Sequence, residues 1–257
     1  METREDIKYG KINKLMQEVP KGLVLLSMWL HSEGYSYELQ QRYRNSGWLK
    51  SIGIGAMLKN GDELTLAGAL AALQGQLGMD VHVGGRSALE LQGVSHYLQL
   101  NEHETTVFTE SKTALPAWFT RNRWTPTPKV FRSTLYNKDE VGMTNYQDGE
   151  FAMKISTPAR AVMECLYLCP NQFSLQEAYE LMEGLPTLRP SQVQPLLEEC
   201  KSVKVKRLFL YFAERANHAW LKHVDVGRIN LGKGDRSLAT DGAYVPKYHL
   251  VLPKELV

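Results

Sequence analysis

The stretch that most constrains this chain runs from Lys21 to Asn60: KGLVLLSMWLHSEGYSYELQQRYRNSGWLKSIGIGAMLKN. Leu23, Val24, Leu26, Met28 and Leu30 recur at helical spacing, and Gly34 supplies the residue that tolerates a left-handed helix end. A first helix is therefore expected from about Leu23. Tyr35 reads as a short apolar plug and Ser36 as the N-cap of a second helix over residues 37–45. Ser46-Gly47 breaks that helix. Residues 48–54 and 56–58 read as strands around Gly53 and Gly55, and Asn60-Gly61 is the next turn. Helix, tight turn, helix and ribbon is the order of a winged helix-turn-helix.

At about 100° per residue, Leu39 and Tyr43 fall on one side of the second helix and should pack inward. Tyr37, Gln40, Gln41 and Arg44 fall broadly on the other. Glutamine and arginine can each offer two hydrogen-bonding groups to a base edge in the major groove. Arg42 sits at the flank, where a phosphate contact is more natural. From residue 42 to residue 60 there are four basic residues, Arg42, Arg44, Lys50 and Lys59, and no acidic one. One-sided charge beside such a pattern is the footprint of nucleic-acid binding. The whole chain has a net charge of +2. Affinity for DNA must then rest on this local patch and show a clear salt dependence. Two other classes stay open: a winged helix that binds protein, and a nucleic-acid-modifying enzyme with its active site in the second half.

The rest of the chain supplies a second, larger unit. An opening amphipathic helix is expected over residues 5–17 and an Ala/Leu-rich helix over 64–77. Residues 81–83 form a short strand leading into Gly84-Gly85 and a helix at 86–91. Strand, glycine turn and helix can cradle phosphate, but neither G-x-x-x-x-G-K-[ST] nor G-x-G-x-x-G is present. Close backbone packing is the better reading. A domain boundary is placed near Tyr97, giving 1–96 and 97–257. Beyond it, strands are expected at 105–108, 129–135 and 151–155. Helices are expected from Pro158 to Pro170, over 175–182, over 190–200 and over 208–223, the last with the basic run 201–207 at its head. A two-stranded tail covers 228–252. The fold class is α+β, an N-terminal winged helix-turn-helix followed by a larger mixed α/β C-terminal domain. Between residues 118 and 132, Trp118, Trp124 and Phe131 interleave with Arg121, Arg123, Lys129 and Arg132. Such a mixture can bind single strands by stacking. It also fits a helix packed on a sheet with snorkelling arginines.

Catalytic signatures are lacking. There is no G-x-S-x-G and no H-E-x-x-H, and His218 and His223 are five apart, on different faces of one helix. Lys233, Asp235 and Arg236 read as a solvated loop. Asp139-Glu140 and Asp148-Glu150 could hold a cation but fit solvated loop acids. The three cysteines, Cys165, Cys169 and Cys200, suggest core thiols and neither a disulfide framework nor a metal set. No catalytic residue, metal or cofactor is expected. The charged N-terminus does not look like a signal peptide, and no apolar run reaches transmembrane length, so a cytoplasmic protein without a membrane partner is expected.

The run from Lys21 to Met57, followed by GGRSALELQG and then STPARAVMECLY, resembles the AbiEi family, antitoxins and transcriptional regulators of the AbiE type IV toxin–antitoxin systems linked to abortive phage infection. The resemblance spans almost the whole chain in the same order. It implies a winged helix that represses its own operon at inverted repeats in double-stranded DNA. It implies a C-terminal domain that counters a nucleotidyltransferase-like toxin, with no direct complex required. By position, Ser36, Tyr37, Gln40, Gln41 and Arg44 would read DNA, with Arg42, Lys50 and Lys59 on phosphates. No motif assigns antitoxin residues in the second half. The basic positions Arg121, Arg123, Arg132, Lys204, Lys206 and Arg207 are the expected functional surface there.

Overall fold

The structure, a computed structural model, describes residues 4–94, 104–110, 112, 114–136 and 140–257. Tyr97 and Asp139 lie outside the described residues. The chain opens with helix α1 (Arg4–Glu18), then a two-residue strand β1 (Leu25–Leu26), α2 (Ser27–Ser32) and α3 (Tyr37–Asn45). Strands β2 (Leu49–Gly53) and β3 (Ala56–Lys59) come next and complete an antiparallel sheet in the order β1-β3-β2. This is the expected winged helix-turn-helix, with one correction. The first helix does not start at Leu23, because Leu25 and Leu26 pair with Met57 and Ala56 as a strand.

The reason lies in what covers the two faces of that sheet. Leu25, Met57 and Leu49 pack with Ile12, Leu15, Leu30, Tyr35 and Tyr43 of the winged unit. Val24, Leu26, Ala56 and Leu58 face the opposite way, into the core of the rest of the chain. A strand buried on both faces is a continuous apolar run, and such a run cannot be told from a buried helix by periodicity alone. The backbone of the strand also has a side-chain partner. Gln76, in α4 (Leu66–Leu77), accepts from the Leu26 N–H (2.8 Å) and donates to the Val24 carbonyl (2.6 Å).

The second unit is built on a five-stranded sheet in the order β6-β5-β4-β8-β7. Its members are β4 (Val81–Val83), β5 (Glu104–Glu110), β6 (Thr127–Ser133), β7 (Met143–Asp148) and β8 (Phe151–Ser156). Strand β4 is central, antiparallel to β5 and parallel to β8. The sheet therefore draws its middle strand from before residue 96 and its other four from after it. α5 (Gly85–Leu91) comes directly after β4, and a short α6 (Ala117–Arg121) precedes β6. α7 (Pro158–Leu168), α8 (Leu175–Glu183), α9 (Pro190–Glu199) and α10 (Val203–Arg215) form the helical layer, with α7 packed against α5, α8 and α10.

Helix starts in this layer reflect local chemistry. Ser174 Oγ accepts from the Glu177 N–H as the cap of α8. Thr157 instead donates to the Gly142 carbonyl (2.9 Å). The helix expected at 208–223 starts earlier, at Val203, and ends at Arg215, with a separate 3-10 turn at Ala219–His223. The tail is a sheet of three short strands, Arg236–Ser237, Ala243–Val245 and Leu250–Leu252, rather than two.

Candidate nucleic-acid interface

Ser36 caps α3, its Oγ accepting the Leu39 N–H at 3.3 Å. Such a cap contributes about 1 kcal/mol. The helix presents a face one position away from the one its periodicity suggests. Gln40 is 0% exposed. Its Nε2 donates to the Tyr35 carbonyl (2.8 Å) and the Ser27 carbonyl (3.0 Å), and its Oε1 accepts from Ser27 Oγ (2.6 Å). Gln40 is therefore withdrawn as a base-reading residue; it is the brace that joins α3 to α2. The helix-turn-helix corner would otherwise bury two carbonyls without donors, and buried polar groups are paired. Leu39, expected inside, is only half-buried.

The outward side carries Tyr37, Gln41, Arg42 and Arg44, with Ser36 and Lys50 also exposed. Tyr37 is 55% exposed. Its ring stacks on His31 of α2, with centroids 4.6 Å apart and planes 16° off parallel, which presents both rings from one edge of the helix. Arg44 Nη1 lies 3.3 Å from Met57 Sδ, and the side chain is otherwise exposed. Lys59 is different. Its ammonium donates to the Val19 carbonyl (2.8 Å) and the Met16 carbonyl (3.4 Å), closing the C-terminus of α1. A cation at a helix C-terminus is favourable, so Lys59 is occupied there and withdrawn from the phosphate-contact set.

The wing turns through Gly53, Ile54 and Gly55, with Ile54 85% exposed at its tip. The Ser27 N–H donates to the Gly55 carbonyl (2.8 Å), which brings the start of α2 and the exposed Met28 beside that tip. His31 and Ile54 were not singled out in the sequence, and Met28, expected on the apolar side of the first helix, is instead 72% exposed. An isoleucine between two glycines was the available signal for a hairpin tip.

The six basic positions named for the second half do not form one surface. Arg121, Arg123 and Arg132 are exposed. Lys206 and Arg207 are buried, and Lys204 is half-buried. Lys204 donates to the carbonyls of Tyr167 and Cys169 at the end of α7. Arg207 gathers the carbonyls of Leu231 (2.9 Å), Gly234 (2.6 Å) and His249 (3.2 Å). Burial holds both lysines below the usual lysine range. Lys204 and Arg207 organise the chain, Lys206 is buried, and all three are withdrawn as a functional surface. The stacking reading of residues 118–132 is corrected too. Trp118 and Trp124 are buried and pack edge-on against each other, with Phe119 beside them. They offer no rings to bases, and the exposed arginines fit the snorkelling alternative.

A buried charge cluster sits at the centre of the second unit. The Glu164 carboxylate accepts from His82 Nε2 (2.9 Å), the Gly85 N–H (2.9 Å), Ser156 Oγ (2.8 Å) and Arg160 Nε (2.9 Å). Burial alone would raise its pKa, but His82 and Arg160 outweigh that and bring it down to about 2. A Cβ at Gly84 would lie 2.3 Å from Glu164 Oε2 and 2.6 Å from Phe108. The double glycine is there for close packing against a carboxylate, not for cradling phosphate. Cys165, Cys169 and Cys200 are free and buried, and burial pushes Cys169 up to about 12 and Cys200 to about 11. Glu150 accepts from the Lys21 N–H (2.9 Å) and so ties the second unit to the first. Among the described residues, no three His, Cys, Asp or Glu side chains are grouped as a metal site needs.

Comparison with known families decides what these parts belong to. Residues 102–253 match a family model described as a transcriptional regulator, AbiEi antitoxin, of type IV toxin–antitoxin systems. Residues 8–100 match the model of the AbiEi antitoxin N-terminal domain, also described as a transcriptional regulator. The chain belongs to the AbiEi family. It is thus an antitoxin transcriptional regulator of the type IV class, as its residues 21–57, 84–93 and 156–167 suggested by resemblance. Comparison with curated proteins gives no match. Among solved structures, protein RV2827C of Mycobacterium tuberculosis is similar, with a TM-score of 0.59 and 12% identity over 94% of this chain and 89% of the other. At that identity the likeness concerns the fold alone. It extends over both units of the AbiEi chain. No helix among the described residues is long and apolar enough to cross a membrane.

Proposed function

We propose that this AbiEi chain represses its own operon by reading inverted repeats in its promoter with α3, and that its second unit counters a nucleotidyltransferase-like toxin without needing a stable complex. In this reading Tyr37, Gln41 and Arg44 meet base edges, Ser36 caps the reading helix at the groove, and Arg42 and Lys50 meet phosphates. The observation that supports it is the outward side of α3. Gln41, Arg42 and Arg44 are exposed on a helix whose orientation is locked by the buried Gln40 brace. A reading helix must be held rigidly, because base readout depends on paired hydrogen bonds at fixed geometry. Family membership supplies the regulatory context.

The test is fluorescence anisotropy of the full-length protein on the duplex just upstream of its own gene, beside a scrambled duplex, at two salt concentrations. A preference for the native duplex that survives raised salt is the expected result. Arg44→Ala should then cost about 1–3 kcal/mol on the native duplex and relax the preference. Equal, weak binding to both duplexes that disappears with salt would overturn sequence reading.

A further inference from the structure

Strands β4 and β8 run parallel but meet in register only at Val83 and Ile155. Before that point they part, and a side chain takes the place of the ladder. Gln74 of α4 donates to the Val81 carbonyl (2.6 Å) and the Lys154 carbonyl (2.9 Å), and it accepts from the Lys154 N–H (2.8 Å). Beside this bridge lies a cleft of about 280 Å³, whose lining includes Met79, Asp80, His82, Glu140, Met143 and Lys154. The His82 side chain is 4% exposed, and its Nε2 is committed to Glu164, which does not line the cleft. Its Nδ1 is buried and, among the described residues, has no hydrogen-bond partner. That nitrogen lies 4.0 Å from Oδ1 of Asp80, a lining residue, so it is turned toward the cleft. Because the Glu164 carboxylate accepts from Nε2, the neutral ring carries its hydrogen there and offers a lone pair at Nδ1. A buried acceptor left without a donor costs free energy, and native structures rarely leave one so.

We propose that this cleft binds a small aliphatic amine, whose ammonium donates to His82 Nδ1 and Asp80 and whose methylenes lie on Met79 and Met143. The lining is rich in acceptors. His82 Nδ1 and the carboxylates of Asp80 and Glu140 stand against one ammonium, that of Lys154, which is half exposed and already 3.5 Å from Glu140. An ammonium guest has three N–H donors and no acceptor, which complements such a lining. An anion would meet two carboxylates and one lysine. A metal ion is a poorer fit, since among the described residues no three His, Cys, Asp or Glu side chains are grouped to hold one. The two methionines are pliable apolar walls that suit a short methylene chain. Glu164 acts on the site only by positioning the ring, and the proposal does not depend on the DNA reading.

The experiment titrates the full-length protein, carrying isotope-labelled histidine, with putrescine and separately with butanediol at matched ionic strength. Ring nitrogens are read by NMR and affinity by calorimetry. The His82 Nδ1 signal should move saturably with putrescine, as an acceptor gaining a donor does, and stay in place with butanediol. Asp80→Asn keeps the size of the side chain and removes its charge. It should weaken putrescine at least about tenfold, the worth of one hydrogen bond to a charged group. Asp241→Asn removes an exposed carboxylate in the tail and should leave the affinity unchanged. A His82 ring that ignores putrescine overturns the proposal and leaves the cleft to water. An equal response to butanediol overturns it too, since any polar filler would then serve. Full affinity in Asp80→Asn, or an equal loss in Asp241→Asn, has the same consequence. Where Asp80→Asn folds poorly, the two wild-type titrations alone decide.

Discussion

A glutamine on a DNA-reading helix can face the groove or the helix behind it, and in the reading proposed for α3 the adjacent glutamines divide the two roles. Gln40 commits both ends of its amide inside the corner, while Gln41 is exposed. Gln40→Ala leaves the Tyr35 and Ser27 carbonyls without their donor, at about 1–3 kcal/mol for each buried group stranded. A loss of about 2–6 kcal/mol in urea unfolding is expected, with DNA binding failing only as the corner loosens. Gln41→Ala should change stability by less than about 0.5 kcal/mol, as surface substitutions usually do, and weaken binding to the native duplex. Opposite behaviour of the two variants would reverse the assignment of the faces. Lys59→Ala separates the same two roles for a cation. It should cost about 1 kcal/mol of stability through the lost closure of α1 and leave the salt slope of DNA binding unchanged. A slope lower by about one would instead return Lys59 to the phosphates.

At the scale of elements, the sequence was most legible where a local signal sufficed. Ser36 and Asn45 bound α3 as expected, and Ser174 starts α8, because a cap is a short-range hydrogen bond written in adjacent residues. It was least legible where the deciding partner is distant. Leu25 and Leu26 form a strand only because Met57 and Ala56 pair with them and Gln76 satisfies the flanking backbone. β7 is polar and exposed on alternate residues and is fixed by its ladder with β8. The charge cluster is the extreme case. Arg160 and Glu164 are an i,i+4 pair on α7, but His82 comes from a strand some 80 residues away, and nothing local announces that it joins them. Glu164→Gln removes the buried carboxylate that pairs with both His82 and Arg160, and breaking buried pairs of this kind is expected to cost about 3–5 kcal/mol at neutral pH in urea unfolding. The pH dependence has a definite sign. The folded pKa of about 2 lies below the ordinary 4.5. The ionised carboxylate therefore stabilises the fold above about pH 4.5, and that contribution fades as pH falls toward 2. The gap between wild type and variant should narrow over the same range. A gap that stays constant with pH would show that Glu164 acts by shape alone.

For the molecule as a whole, the question is whether the winged unit can stand without the C-terminal unit. The two family models divide the chain between residues 100 and 102. Physical contacts run across it. β4 is the central strand of the large sheet, and both strands that pair with it lie beyond residue 96. The winged sheet turns Val24, Leu26, Ala56 and Leu58 toward the second unit's core, and the Lys21–Glu150 and Asn122–Ile52 hydrogen bonds fasten its ends. A fragment of residues 1–96 would keep α4, β4 and α5 but lose both strand partners of β4, exposing two sheet edges and part of an apolar core. Exposed edges of that kind are templates for association. The fragment is expected to elute as aggregate or to lack a cooperative thermal transition, while the full chain unfolds as one unit. A fragment ending at Gly61 should fare no better, because the outer face of its sheet would be an apolar patch facing water. If either fragment instead ran as a monomer with a sharp melt and bound the upstream duplex with the full chain's salt slope, the winged unit would be self-sufficient. A fragment that folds but binds with a slope lower by about two would locate the missing contacts in the second unit.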